Sequence, residues 1–236
     1  MLIEQQPAYV LHARPYRETS LLLECLTRDH GRLGVVARGV RRERARLQRA
    51  QIEPFQPLAL DFMLRGELAA LRAAEPLGAP SSRLLGDAGL AGLYLNELVV
   101  RMTGRQDPQP QLFDHYALAL RRLLEEPSLA WTLRRFERDL LQVLGYDLQL
   151  LVDEHGEPLE PQRLYRYEVE QGPLAAAVAG PQTLRGGDLL ALAHDRQPDP
   201  QGLANLRRMM REVIRFYLGG SELRAWRVLA LALSRR

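Results

Sequence analysis

Six arginines fall within the twelve residues from Arg38 to Arg49: Arg38, Arg41, Arg42, Arg44, Arg46 and Arg49, against a single acid, Glu43. That leaves a local net charge of about +5. A guanidinium is a planar fork that grips phosphate or carboxylate in bidentate fashion and stacks on flat rings. The chain has no lysine, so all 32 of its basic residues carry this fork. GC-rich coding alone would favour arginine, but the physical consequence is the same. Two readings of the stretch stand side by side. One is a phosphate-gripping connection, which needs cations but no exact order. The other is a short exposed helix whose arginines only keep it soluble.

Other chemistries find little to work with. His12, His30, His115, His155 and His194 form no HExxH or HxH spacing that would aim two ligands at one metal. Cys25 is the single cysteine and sits in a strand pattern, where it packs as a small hydrophobe. It permits neither an internal disulfide nor a thiolate zinc site. No P-loop and no GxSxG occurs, and the acids between 147 and 170 are irregularly spaced, as on a solvated surface. The expectation is a non-enzymatic protein with no cofactor and no metal. Composition is that of a globular chain: 236 residues, 46% hydrophobic and 26% charged. No apolar run reaches the ~20 residues of a membrane helix and no leader peptide is visible, so a cytoplasmic protein is expected.

The elements that must hold the arginines come in two styles. Over residues 1–80 the pattern is that of strands: 9–14, 20–27, 31–38, 57–64 and, after the turn Arg65-Gly66-Glu67, 68–77. Five short strands predict a small closed barrel of the OB-fold type, whose groove commonly takes single-stranded nucleic acid. The arginine stretch then connects strands three and four. Arg14 and Arg17 lie in or just after strand one, and Arg65 and Arg72 flank the last turn. Tyr9, Tyr16 and Phe55 are candidates to stack on bases, or else core residues. Residues 81–236 are mainly helical, with helices near 84–102, 109–125, 128–144, 187–194, 200–218 and 221–233. An irregular acidic insert lies at about 146–182. The fold class is therefore α+β, with an OB barrel at 1–80 and a helical domain at 81–236.

Charge is segregated along this plan. Residues 146–200 hold 4 arginines against 10 acids, and 201–236 hold 8 against 2. Such blocks suggest surfaces with different partners.

Read together, several stretches resemble one family, the bacterial recombination and repair mediator RecO. They are "AYVLHARPYRETSLLLECLTRDHGRLGVVARGVRR", "IEPFQPLALDF", "GLYLNELVVRM", "LRRFERDLLQVLGYDLQL" and "YLGGSELRAWRVL", in family order from residue 8 to about 229. The R-P-x-x-E-T-S turn and the A-R-G-x-R-R exit from strand three are the most specific. The resemblance implies an N-terminal OB-fold and a helical domain. It implies binding of single- and double-stranded DNA, annealing of complementary strands, and work with RecR, in some bacteria with RecF. The outcome would be RecA loaded onto gaps coated by single-stranded-DNA-binding protein (SSB), with the acidic C-terminal tail of SSB as a contact and a nucleoid-associated location.

Many family members carry a four-cysteine zinc site. The corresponding region here, roughly Leu148 to Tyr167, has no cysteine, so zinc is not carried over and the segment is expected to be more mobile. An acidic tail needs an apolar pocket rimmed by arginine. Arg121 and Arg122, and Arg134, Arg135 and Phe136, are the candidates. The alternative is that these arginines pair with Glu125, Glu126, Glu137 or Asp139 on outer helix faces. Arg207, Arg208, Arg211 and Arg215 could extend a DNA path. The DNA-binding candidates are Arg14, Arg17, Arg38, Arg41, Arg42, Arg44, Arg46, Arg49 and Arg65. Two other functions fit the same cations: an adaptor that holds acidic protein tails and reaches DNA only through SSB, and an RNA- or ribosome-associated OB protein.

Overall fold

The alternating strands of the N-terminal third close on themselves. The computed structural model describes residues 1–41, 49–77 and 84–233. The chain forms two units, Met1–Glu125 with Leu223–Arg236, and Glu126–Glu222. The strands are β1 (Leu2–Tyr16), β2 (Ser20–Thr27), β3 (Gly31–Ala37), β4 (Leu58–Arg65), β5 (Leu68–Pro76), β6 (Leu164–Glu168), β7 (Gly172–Ala175) and β8 (Thr183–Arg185). The helices are α1 (Gly86–Met102), α2 (Pro110–Glu125), α3 (Leu129–Val143), α4 (Gly186–Ala193), α5 (Pro200–Tyr217) and α6 (Arg224–Leu233).

In the first unit the barrel runs β1-β2-β3-β5-β4, closed by β1 on β4. Only β3 and β5 pair in parallel. This is the five-stranded OB topology. β1 serves two neighbours: its second half pairs with β2 and its first half with β4. It bends to do so, with register shifts at Val10/His12 and Ile3/Gln6. Alternate residues fill the interior, among them Val10, Leu23, Cys25, Leu33, Val35, Leu60 and Phe62. Burial, with the adjacent Glu24, raises the Cys25 thiol far above its ordinary range, so it stays an inert apolar group.

The outer face of β1 is covered as well. Tyr9 packs on Phe113 and Tyr116 at ring-centre distances of 5.3 and 5.1 Å. Buried Asn96 donates to the Leu11 carbonyl at 2.8 Å and accepts from the Tyr116 hydroxyl. Helix α6 belongs to this unit and packs on α1. Its first N–H groups, from Arg224 and Ala225, donate to the Glu97 carboxylate at 2.8 and 2.7 Å, satisfying helix-end donors that have no partner within the helix.

In the second unit a small sheet of order β7-β6-β8 packs on α4 and α5 through β8, and α3 packs on α5. The Ser128 hydroxyl caps α3 by accepting from Trp131 N at 3.3 Å, and Gly145, at φ +79°, ends its last turn. Asp199 caps α5 by accepting from Gly202 N at 2.7 Å; that bond, with Arg185 beside it, holds the carboxyl below its usual range.

The cysteine-free acidic stretch is organised around Asp153. Its carboxylate accepts from His155 N at 2.9 Å and Glu157 N at 3.1 Å, while Val152 and Pro158 form a bridge and Leu150 and Leu159 are buried. Backbone donors and two leucine anchors thus hold a tight turn where the family resemblance suggests a more mobile segment. Among the described residues no group of three or more His, Cys, Asp or Glu could hold a metal, and no helix is long and apolar enough to cross a membrane.

Candidate nucleic-acid interface

Three turns meet at one end of the barrel. The first joins β1 to β2 through Arg17, which takes a left-handed φ of +54° and projects its guanidinium over the Tyr16 ring at 5.3 Å. The second is the exit of β3, where Arg38 is exposed, Gly39 turns at φ +72° and Val40 returns to the core. Arg41 N donates to Thr19 O at 3.1 Å and ties this exit to the first turn. The third joins β4 to β5 through Arg65-Gly66-Glu67. The parallel pairing of Gly34, Val35 and Val36 with Leu68, Ala69 and Ala70 brings it beside the β3 exit.

Between the turns lies a groove of about 550 Å³. Its floor is small and apolar, from Val36, Leu68, Ala69 and Ala70; Thr19 and Ser20 add hydroxyls; Tyr16, Arg17, Arg38, Gly39 and Arg65 form the rim. Arg17, Arg38 and Arg65 are exposed, and none makes a salt bridge to another of the described residues. Other arginines of this unit are already engaged. Arg28 pairs with Asp114 at 3.0 Å, and Glu24 takes both Arg32 and Arg105.

The Glu24 cluster belongs to a strap over the neighbouring part of β3. Arg105 bridges to Arg32, Gln106 N donates to Arg32 O at 3.0 Å, and the Gln106 amide donates to Gly66 O at 3.1 Å. Gly31, at φ +64°, is required here, because a Cβ at that position would lie 2.2 Å from Asp107 O.

The residues expected to bind DNA are distributed as follows. Arg17, Arg38 and Arg65 line the groove. Arg41 is exposed, with its backbone tied to the first turn, and Arg14 is exposed on β1 outside the groove lining. Arg49 begins a short 3-10 turn, Arg49–Ile52, while Arg42, Arg44 and Arg46 lie outside the described residues. Of the aromatic candidates only Tyr16 faces the groove. Tyr9 is buried, and the Phe55 ring lies against Gly92, where an added Cβ would come within 2.8 Å of it.

The residues expected to hold an acidic tail fall in two places. Arg121 and Arg122 are on α2 of the first unit; Arg134, Arg135 and Phe136 are on α3 of the second. Of the two readings given for the latter three, a pocket rim and an ion-paired helix face, their surroundings resemble the second. All three are buried: Arg134 is held by Glu137, Arg135 by Glu126 and, at 3.6 Å, by Asp195, and Arg135 also lies over the Trp131 ring. Carboxylates of the same unit thus take the outer ends of both guanidinium groups. On α5, Arg208 donates to Pro181 O and Asn205, and Arg215 is exposed. The apolar floor and the strap Thr103–Asp107 carried no signal of their own in the sequence. Thr19 and Ser20 stand in the E-T-S turn, where hydroxyls beside an arginine could have marked them.

Fold and groove together define an OB barrel with helical additions, its open cationic face set between the β1–β2 and β4–β5 turns as in barrels that bind oligonucleotides or oligosaccharides. Two family models match the chain: "Recombination protein O N terminal" over residues 1–80 and "Recombination protein O C terminal" over residues 86–227. The chain belongs to the RecO family. Among similar proteins, the DNA repair protein RecO of Xanthomonas euvesicatoria pv. vesicatoria (strain 85-10) is 44% identical, with 100% of both chains covered. The DNA repair protein RecO of Stenotrophomonas maltophilia (strain R551-3) is 46% identical over 97% of each.

Proposed function

We propose that this protein works in recombinational DNA repair by binding single- and double-stranded DNA on the barrel groove and annealing complementary strands, without catalysing a covalent reaction. The observation that carries the reading is the set of exposed arginines, Arg17, Arg38 and Arg65, around one open groove, with no salt bridge to them among the described residues. Cations placed between two phosphate backbones lower their repulsion, and base pairing then completes the joint. The small floor and the single rim aromatic favour a grip on backbone over base readout. As family membership suggests, the annealed or gapped DNA is passed on in the cytoplasm, at the nucleoid. There the protein acts with RecR, and in some bacteria RecF, to load RecA onto SSB-coated strands. The acidic tail of SSB seeks the same guanidinium forks as phosphate does, so it contacts the protein through exposed arginines.

The test is annealing of two complementary oligonucleotides by the purified protein, with no nucleotide and no other protein. Acceleration that is lost in a variant with Arg17, Arg38 and Arg65 replaced by glutamine supports the reading. No binding to either oligonucleotide without SSB would instead make the protein an adaptor for acidic tails.

A further inference from the structure

The second unit carries a small site of opposite character. Gly145 ends α3 and places Tyr146 against Tyr217, the last residue of α5; the rings stack at 4.1 Å and 17°. Phe216 meets Tyr217 edge-on at 5.3 Å, and Phe216 and Tyr146 are exposed. Beside Tyr217 is a notch of about 40 Å³, walled by Tyr167, Tyr217 and Val213 and rimmed by Asp147 and Glu170. By this measure a water needs roughly 10–15 Å³, so the notch holds about three waters, the size of a small cationic head group. Burial pushes the Tyr167 hydroxyl up to about 12, so this wall is an uncharged π-system at neutral pH.

Charge selects the occupant. In this part of the chain Glu160 pairs with Arg163 at 3.3 Å and Glu168 with Arg166 at 2.8 Å. Asp147 and Glu170 are exposed at the rim and make no salt bridge among the described residues. They lie in the block of residues 146–200, where 10 acids face 4 arginines. A phosphate is repelled by such a rim, and an apolar segment gains nothing from two carboxylates. A guanidinium satisfies every wall at once: its face lies on tyrosine, its edge donates to carboxylates, and its stem covers apolar surface.

We propose that the notch between Tyr167, Tyr217, Asp147 and Glu170 receives an arginine side chain from a basic segment of a partner protein. The exposed rings of Tyr146 and Phe216 take the residues flanking that arginine. This is a docking site of its own, independent of the DNA groove.

The probe is the peptide acetyl-Ala-Arg-Ala-Arg-Ala-amide, titrated into the full-length protein while tyrosine ring resonances and heat are recorded. The expected result is a dissociation constant of about 0.1–1 mM with shifts at Tyr167 and Tyr217. The citrulline version should bind at least about tenfold more weakly. The Asp147→Asn/Glu170→Gln variant and, separately, Tyr217→Leu should each weaken binding at least about fivefold, while Glu157→Gln, away from the notch, changes nothing. Equal binding of the citrulline peptide would overturn the proposal. So would unchanged affinity in both notch variants, or loss in Glu157→Gln equal to theirs. Thymidine oligonucleotide shifting the same rings without the peptide would assign the patch to nucleic acid and refute it too. If Tyr217→Leu loses its fold, the surface variant Glu170→Gln alone decides the matter.

Discussion

Replacing Arg17, Arg38 and Arg65 together by glutamine isolates the groove from every other cation in the chain. Each phosphate neutralised on a single strand contributes about −0.7 to the slope of log affinity against log salt, and on a duplex about −0.9. Three contacts therefore account for a slope of about −2.1 on single strands and about −2.7 on duplex. Between 50 and 200 mM salt, log concentration changes by about 0.6, so the three residues carry roughly an 18-fold loss on single strands and roughly 40-fold on duplex. Fluorescence anisotropy of a labelled 20-nucleotide thymidine strand and of a 20-base-pair duplex, from 50 to 300 mM sodium chloride, measures both slopes. The three side chains are exposed and make no salt bridge among the described residues, so their removal should shift unfolding free energy by no more than about 0.5 kcal/mol. The slope left in the triple variant then reports the remaining cations. If about five arginines of the stretch from Arg38 to Arg49 engage the strand, they alone supply a slope of about −3 to −4, and replacing Arg41, Arg42, Arg44 and Arg46 by alanine flattens it. A folded triple variant with the parent's slopes would show that the DNA runs elsewhere, whatever the groove looks like.

Four further outcomes follow from the geometry. Gly31→Ala, whose Cβ would meet Asp107 O at 2.2 Å with φ at +64°, should cost about 2–4 kcal/mol in urea unfolding, whereas Gly66→Ala, also at positive φ but in open space, should cost about 1. Arg134→Ala removes the salt bridge of Glu137, whose side chain is 0% exposed, and should cost about 3–5 kcal/mol, more than Arg135→Ala, whose partners Glu126 and Asp195 are 34% and 43% exposed. In Asp153→Ala the amides of His155 and Glu157 should exchange hydrogen faster while barrel amides keep the parent rate. Burial works to raise the Asp153 carboxyl, but those two N–H donors prevail and lower it. The parent turn is therefore fully stabilised above the unfolded carboxyl range and loosens as pH falls through the folded value. On the alkaline side burial holds Tyr167 at about 12 against about 10 unfolded, so the unfolded chain sheds a proton that the folded one keeps; stability falls across that window by up to about 3 kcal/mol, and Tyr167→Phe removes that share of the fall.

The barrel was legible because β2 and β3 are apolar-rich runs of eight and seven residues that suit buried strands, and the turn between them uses glycine and polar residues. The Ala-rich β5 could by composition alone be a helix, and only its position after the tight turn Arg65-Gly66-Glu67 tips it toward a strand. The first half of β1 was not legible. Residues 2–8 include Pro7 and polar side chains, and their strand character comes from pairing with β4 more than fifty residues away. The groove was legible in its parts: Arg17, Arg38 and Arg65 stand at strand ends that the period fixes. Their convergence was not, because it rests on the parallel β3–β5 pairing, which no local pattern encodes. On α3 the sequence shows arginines beside apolar residues, a pattern shared by an open pocket rim and a buried ion-paired face. What decides between them is Glu126 and Asp195, brought in from outside the helix.

In a chain whose cations are all arginine, the same group must serve as structural fastener and as ligand grip. The difference lies in the carboxylates. Arg32 and Glu24 are each 12% exposed, and Arg134 and Glu137 nearly dry, so salt reaches these pairs poorly and they persist as ionic strength rises. Arg17, Arg38 and Arg65 stand in water, where screening acts in full over about 10 Å at 0.1 M salt. Salt therefore weakens the hold of these three residues on a polyanion before it loosens the buried pairs of the fold. For the annealing function proposed above, that separation lets a strand go once base pairing has taken over, while the carboxylates that accept arginine inside the fold set which arginines stay exposed to solvent.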